Sequence, residues 1–404
     1  VGVALGMTLG AKFSGALLVP LVPLLLWTRP ELEGAPPLER LKRVIAPLSL
    51  VALLSYLVLA LLYRSEPLTA YWGGYSSMQG SWCGFLLGDI STRGWYHYFL
   101  MAWILKTPPA LVILTLAALF SVRRLPLRSG EGILLLGAGW FFGWSSLLRI
   151  NIGIRHILPV LPLLLIVVGR LLLPPLAERL RGLSTRVVLV LVACTALEVG
   201  AAHPFYLPYF SSLVGGPFQG HRYLSDSNLD WGQDMKRLAH WADEEGIDAM
   251  LLGTFYVGYV KSYGLDYQAV PGFGVLGISE RNLRALPRRL LIAQSAINLQ
   301  GVYFEDPGTQ ARVRVPIDRN LFHFLLKRKP VVRISPAVWV WDISQDSDAI
   351  RRLAMIYLNF GWHGAAVSLF ERYLELNPRD DRTRLGMNKL KAELATMPTA
   401  PARP

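Results

Sequence analysis

The chain has 404 residues, of which 52% are hydrophobic and only 17% charged, with a mean hydropathy of +0.37, the composition of a membrane protein carrying a soluble part. The net charge of +13 comes without a clustered basic face on a soluble segment, which excludes a nucleic-acid-binding reading. Cys83 and Cys194 fall in a loop and inside an apolar run, so neither a disulfide nor a metal-ligand spacing is expected.

The sequence starts at Val1 inside an apolar segment, with no initiator Met and no charged leader, and is expected to be a piece lacking an N-terminal portion. Apolar runs follow at Val1–Trp27, Val44–Tyr63, Tyr98–Val122, Gly132–Leu148, Ile152–Leu173 and Val187–Ala201. Several approach the roughly 20 residues that cross a bilayer as a helix, predicting about six transmembrane helices. Arg29, Arg40, Lys42 and Arg43 follow the first run; Arg123, Arg124 and Arg128 the third; Arg170, Arg179, Arg181 and Arg186 the fifth. Such loops are cytoplasmic by the positive-inside rule, which puts the second and fourth loops and everything after residue 203 outside. Of the 28 acidic residues, 8 precede residue 204 and 20 follow it, so the polytopic helical domain is expected to span 1–203.

Within the first run, Gly6, Gly10 and Gly15 suit close helix packing. Lys12 is costly in lipid unless it faces protein or snorkels, as a structural charge or a functional one. Residues 64–97 read as a long outer loop rich in aromatics, including Tyr71-Trp72-Gly73-Gly74-Tyr75 and Gln79-Gly80-Ser81-Trp82. It is either an interfacial aromatic belt or the re-entrant wall of an outward cavity. Lys106-Thr107-Pro108-Pro109 should break the third run, because two prolines remove two backbone donors.

From residue 204 the character is soluble. Asp230–Gly246 has helical spacing, while Ala249–Tyr256, Leu290–Ala296, Val331–Ile334 and Val338–Trp341 read as strands. Together they predict a small α/β domain over 204–345. Asp348–Leu394 carries the spacing of one tetratricopeptide repeat, giving a helical repeat over 346–404 that must cover its apolar face on the preceding domain.

No hydrolase triad, P-loop or dinucleotide fingerprint occurs, and Gly215-Gly216-Pro217 and Gly272-Phe273-Gly274 read as ordinary turns. Asp226–Asp234 repeats oxygen ligands at short spacing but lacks the closing Glu of a calcium loop. It reads better as the capping run of the following helix. A divalent metal stays open, with no site readable. The strongest constellation is basic: Arg93, His97, Lys106, Arg149, Arg155 and His156, all expected near the outer membrane face. Arginine forks pair bidentately with phosphate, which at that depth implies a lipid headgroup. The plainer reading is interhelical pairing or generic headgroup contact.

Ala11-Lys12-Phe13-Ser14-Gly15, Gly94-Trp95-Tyr96-His97-Tyr98-Phe99 with Leu105-Lys106-Thr107-Pro108, and Asn151–Pro159 resemble the membrane glycosyltransferases of the GT-C superfamily. The bacterial family-39-like, phospholipid-carrier-dependent group is most similar, and Asp226–Asp234 and Ile292–Tyr303 resemble its outer domain. The likeness covers about residues 1–345. It implies transfer of a sugar from a polyprenyl-phosphate donor to an acceptor at the outer face of the cell inner membrane. Membrane lipid, and a protein partner for the repeat, are the further partners expected. It also implies a catalytic Asp in a first outer loop, which has no counterpart here; Asp89 does not match that motif, and the piece is expected to be inactive alone. Two rivals are a non-catalytic scaffold that binds proteins through its repeat, and a transporter of lipid-linked sugars. A transporter predicts duplicated halves with broken helices, and no duplication is visible.

Overall fold

The computed structural model describes all residues except 12, 28–29, 33, 65, 78–82, 124–125, 128, 174–182, 255–259, 272–285, 303–318 and 397–404. Lys12, Gln79–Trp82, Gly272–Gly274, Arg124, Arg128, Arg179 and Arg181 thus lie outside the described residues. The chain forms two compact units: Val1–Ser81 with Trp95–Ile150 and Ile154–Glu198, and Trp82–Gly94 with Asn151–Gly153 and Val199–Pro404.

The first unit is helical: α1 (Gly2–Ala11), α2 (Leu21–Trp27), α3 (Pro37–Tyr63), α4 (Pro67–Ser77), α5 (Tyr98–Leu105), α6 (Pro109–Ser121), α7 (Ser129–Leu148), α8 (Val160–Val168) and α9 (Leu183–Ala201). Among the described residues two helices, Pro37–Tyr63 and Gly130–Leu148, are long and apolar enough to cross a membrane. These two spans fall short of the about six transmembrane helices expected. The first run breaks into α1, a 3-10 stretch Phe13–Leu18 and α2. The third breaks between α5 and α6, where Pro108 takes an extended backbone and Pro109 opens the next helix. Pieces of 10–13 residues rise only about 15–20 Å, short of a hydrocarbon core of about 30 Å. The expected outer loop at 64–97 contains α4 and a hairpin, Gly84–Leu86 (β1) with Asp89–Ser91 (β2). Leu87 and Gly88 turn the hairpin at φ 55° and 99°, the positive pair that a tight two-residue connection requires.

Glycine sets the α1–α3 contact. A Cβ on Gly2 would lie 2.8 Å from Leu54 Cβ, and one on Gly6 2.7 Å from Val58 Cβ, so only hydrogen lets these backbones approach. Ser55 Oγ donates to the Gly2 carbonyl at 2.9 Å across the same contact. A second cluster joins Leu114 and Ala118 of α6 to Val167, Val168 and Leu171 around α8, and to Val188 of α9. Arg170, read from sequence as a loop base, is instead buried and paired with Glu131 of α7 at 3.5 Å. A guanidinium removed from water needs such a carboxylate, so Arg170 carries no weight in the topology count.

The second unit is built on a mixed sheet of β3 (Ala249–Gly253), β4 (Asp266–Ala269), β5 (Leu291–Ser295), β6 (Val332–Arg333) and β7 (Val338–Asp342), ordered β4-β3-β5-β7-β6. β3 runs parallel to β4 and β5, and β7 antiparallel to β5 and β6. Side chains alternate between faces. Met250, Leu252, Leu291, Ala293, Val338 and Val340 pack with the apolar stripe of α10 (Met235–Glu244). Leu251, Ile292, Trp339 and Trp341 face α11 (Ser347–Asn359) and α12 (His363–Leu376). The segments expected as 204–345 and 346–404 therefore share a core within one unit. Tyr357 of α11 donates to the Ala269 carbonyl at 2.7 Å, and a third helix, α13 (Asp381–Thr396), adds Met387 to that cluster.

Candidate functional site

The basic residues of the first unit are positioned by the start of α5 and by the turn from α7 to α8. Arg149 ends α7 at φ 54°, a left-handed position that non-glycine residues seldom take. Its guanidinium lies over the Tyr96 ring, 4.8 Å from the centroid. Ile154–His156 forms one 3-10 turn before α8, and the His156 ring sits 6.3 Å from that of Phe99. Ser145 Oγ of α7 donates to the His156 carbonyl at 3.5 Å. His97 is the N-cap residue of α5 without a capping side-chain bond. Arg149 thus lies against Tyr96 and His156 against Phe99, His97 sits between those rings in the chain, and Arg155, partly buried, belongs to the same turn as His156.

Lys106 closes the far end of α5, its N–H donating to the Ala102 carbonyl at 3.0 Å. Seven residues separate it from Phe99, about 10 Å along the helix axis. Arg93 belongs to the second unit, exposed after the hairpin, with its N–H donating to Ser91 Oγ at 3.1 Å. The six bases expected as one cluster are therefore divided: Arg149 and His156 touch Tyr96 and Phe99, His97 and Arg155 are their neighbours in the chain, Lys106 stands at the α5–α6 break, and Arg93 lies in the other unit.

The acidic run Asp226–Asp234 has another role than the two read from sequence. The helix starts at Met235, and its N-cap Asp234 makes no capping bond. Asp230 accepts from Ser295 Oγ at 2.5 Å and from the Gly232 N–H at 2.8 Å. Asp234 accepts from Arg237 at 2.8 Å and Gln233 at 2.9 Å. These carboxylates tie the loop to β5 and α10. Among the described residues no three His, Cys, Asp or Glu side chains gather as a metal site.

The second unit also contains a cavity of about 580 Å³ that sequence reasoning missed. Phe85, His221, Arg222, Gln300, Arg333 and Trp339 contribute to its wall. Trp339 is 3% exposed, with the Arg333 guanidinium 4.2 Å from its ring centroid and His221 edge-on at 4.9 Å. Burial pushes His221 down to about 4, with the charges of Arg222 and Arg333 adding to the effect, so the ring is neutral at pH 7. Gln300 Nε2 donates to the His221 and Leu224 carbonyls at 2.6 and 2.8 Å, which fixes that amide in place. The residues come from the hairpin, a 3-10 segment Pro217–Arg222, the short helix Ala296–Gln300 and the sheet. The adjacent His221-Arg222 was the one local hint. Compared with family models, curated proteins and solved structures, the chain matches none of them.

Proposed function

We propose that the chain is the membrane and outer part of a GT-C-type glycosyltransferase that moves a sugar from a polyprenyl phosphate to an acceptor at the outer face of the cell inner membrane. The observation that carries this reading is Arg149 against Tyr96 and His156 against Phe99, with His97 between those rings in the chain and Arg155 in the same turn as His156. A lipid phosphate needs cationic donors beside apolar surface, and guanidinium groups supply paired donors. Leu50, Leu53, Leu57 and Leu61 of α3 are each about half exposed or more, as a lipid-facing helix requires. End to end, α5 and α6 rise about 30 Å, one hydrocarbon thickness. Broken pairs of this kind are how we count about six crossings, with residues 204–404 on the outer side. Lys106 at the α5–α6 break is assigned to the phosphate side of the same path. No residue is assigned the catalytic acid.

The test is binding of a short-chain polyprenyl phosphate to the chain in lipid nanodiscs. Arg155→Ala is expected to weaken binding about tenfold, the loss of one charge-assisted contact of about 1.4 kcal/mol, with helical content unchanged. Unchanged affinity in Arg155→Ala and in Arg149→Ala would reduce the cluster to interhelical packing.

A further inference from the structure

The cavity of the second unit makes two separate demands on an occupant. The first is charge. Arg222, Arg319 and Arg333 line it, and no carboxylate does so among the described residues. Among the described residues neither Arg222 nor Arg333 forms an ion pair, so both guanidinium groups are open to an anion. The second demand is for hydrogen-bond donors. Among the described residues, Gln219 Oε1 and Gln300 Oε1 are buried with no hydrogen-bond partner, and both residues line the cavity. A buried amide oxygen left unmatched costs about 1–3 kcal/mol. With Gln300 Nε2 held by two carbonyls, flipping that amide would trade two bonds for none. The oxygens call for a partner that donates.

A simple inorganic oxyanion meets the first demand and not the second. An uncharged polyol meets the second and not the first. A nucleobase finds no platform, because Trp339 is buried beneath Arg333 and His221, while base recognition of that kind needs an open aromatic face. The volume falls within the range of about 300–1,000 Å³ typical of small-ligand sites.

We propose that this cavity binds a hydroxyl-bearing oxyanion, a sugar carrying a phosphate or carboxylate, whose charge meets Arg222 and Arg333 and whose hydroxyls donate to Gln219 and Gln300. The site is independent of the lipid-phosphate reading, since its probes are soluble and carry no lipid.

Calorimetric titration of the purified chain in detergent with glucose 6-phosphate, glucuronate, glucose and inorganic phosphate tests it. Saturable binding of glucose 6-phosphate or glucuronate is expected below about 10 mM, well above a weak site's Kd of about 1 mM. The stronger of the two reports whether phosphate or carboxylate is the natural group. Glucose and inorganic phosphate should each bind at least about tenfold more weakly, one contact's worth. Arg222→Ala, an exposed position, should weaken the charged sugar about tenfold. Gln219→Leu should weaken the charged sugar while leaving inorganic phosphate unchanged. No saturable binding of either charged sugar, inorganic phosphate binding as tightly as they do, or affinities unaltered in both variants would each overturn the proposal.

Discussion

Along Val338–Asp342 in the second unit, successive side chains enter opposite cores, Val338 and Val340 on one side and Trp339 and Trp341 on the other. Along Pro37–Tyr63 in the first unit, Leu50, Leu53, Leu57 and Leu61 stand outward, and close approach is set by Gly2 and Gly6 of the neighbouring helix. The second unit thus derives its stability from apolar surface removed from water. The first relies on shape, on small residues at a helix contact and on the ion pair of the buried Arg170 with Glu131. That is the difference expected if the first unit sits in a membrane as proposed above.

Large-to-small substitution should separate the two most sharply. Trp341→Ala is expected to cost the second unit about 4 kcal/mol, read from urea unfolding followed by tryptophan fluorescence. Leu57→Ala in α3 should change the thermal stability of the detergent-solubilised chain by less than about 0.5 kcal/mol. Equal costs at the two positions would break the contrast. Next in size is the ion pair of the first unit: Arg170→Ala leaves the largely buried Glu131 without its partner and should cost about 3 kcal/mol. Loss of helical signal on heating in detergent measures this.

The acid response belongs to the second unit. His221 has a folded value of about 4 against 6.5 when unfolded, so below pH 6.5 the unfolded chain binds a proton that the folded chain refuses. Its stability contribution is complete above pH 6.5 and declines as pH falls toward 4, by at most about 3 kcal/mol. Urea midpoints between pH 7 and 4 should therefore fall less steeply in His221→Phe than in the parent. Identical slopes would remove His221 from the account. A smaller cost than these is expected at the helix contact: Gly6→Val forces α1 from α3 at a cost of about 2 kcal/mol, seen as a lower midpoint of thermal unfolding in detergent.

What the sequence disclosed follows the same division. The strands Leu291–Ser295 and Val338–Asp342 were legible because runs of apolar, β-rich residues end at turn residues. Asp266–Ala269 was not, since Asp266 and Gln268 give a partly polar edge strand no apolar pattern. The proline break after Lys106 was legible from residue chemistry alone. The division of the first run into two helices was not, and neither was the burial of Arg170, whose partner Glu131 is distant in sequence. Arg149, Arg155 and His156 drew attention as bases in an apolar setting, but their aromatic partners Tyr96 and Phe99 required the fold. The cavity gave almost no signal, because Arg222, Gln300 and Arg333 meet only through the sheet and the hairpin beside it.

Photolabelling tests the central claim most directly. A polyprenyl phosphate carrying a photoreactive group near its phosphate, irradiated with the chain in nanodiscs, is expected to label the peptides holding Tyr96–Phe99 and Arg149–His156, with loss of label when unmodified polyprenyl phosphate competes. Label confined to the outward leucines of Pro37–Tyr63, and indifferent to competitor, would mean that the lipid merely bathes the helices and would contradict a donor-phosphate site at that basic turn.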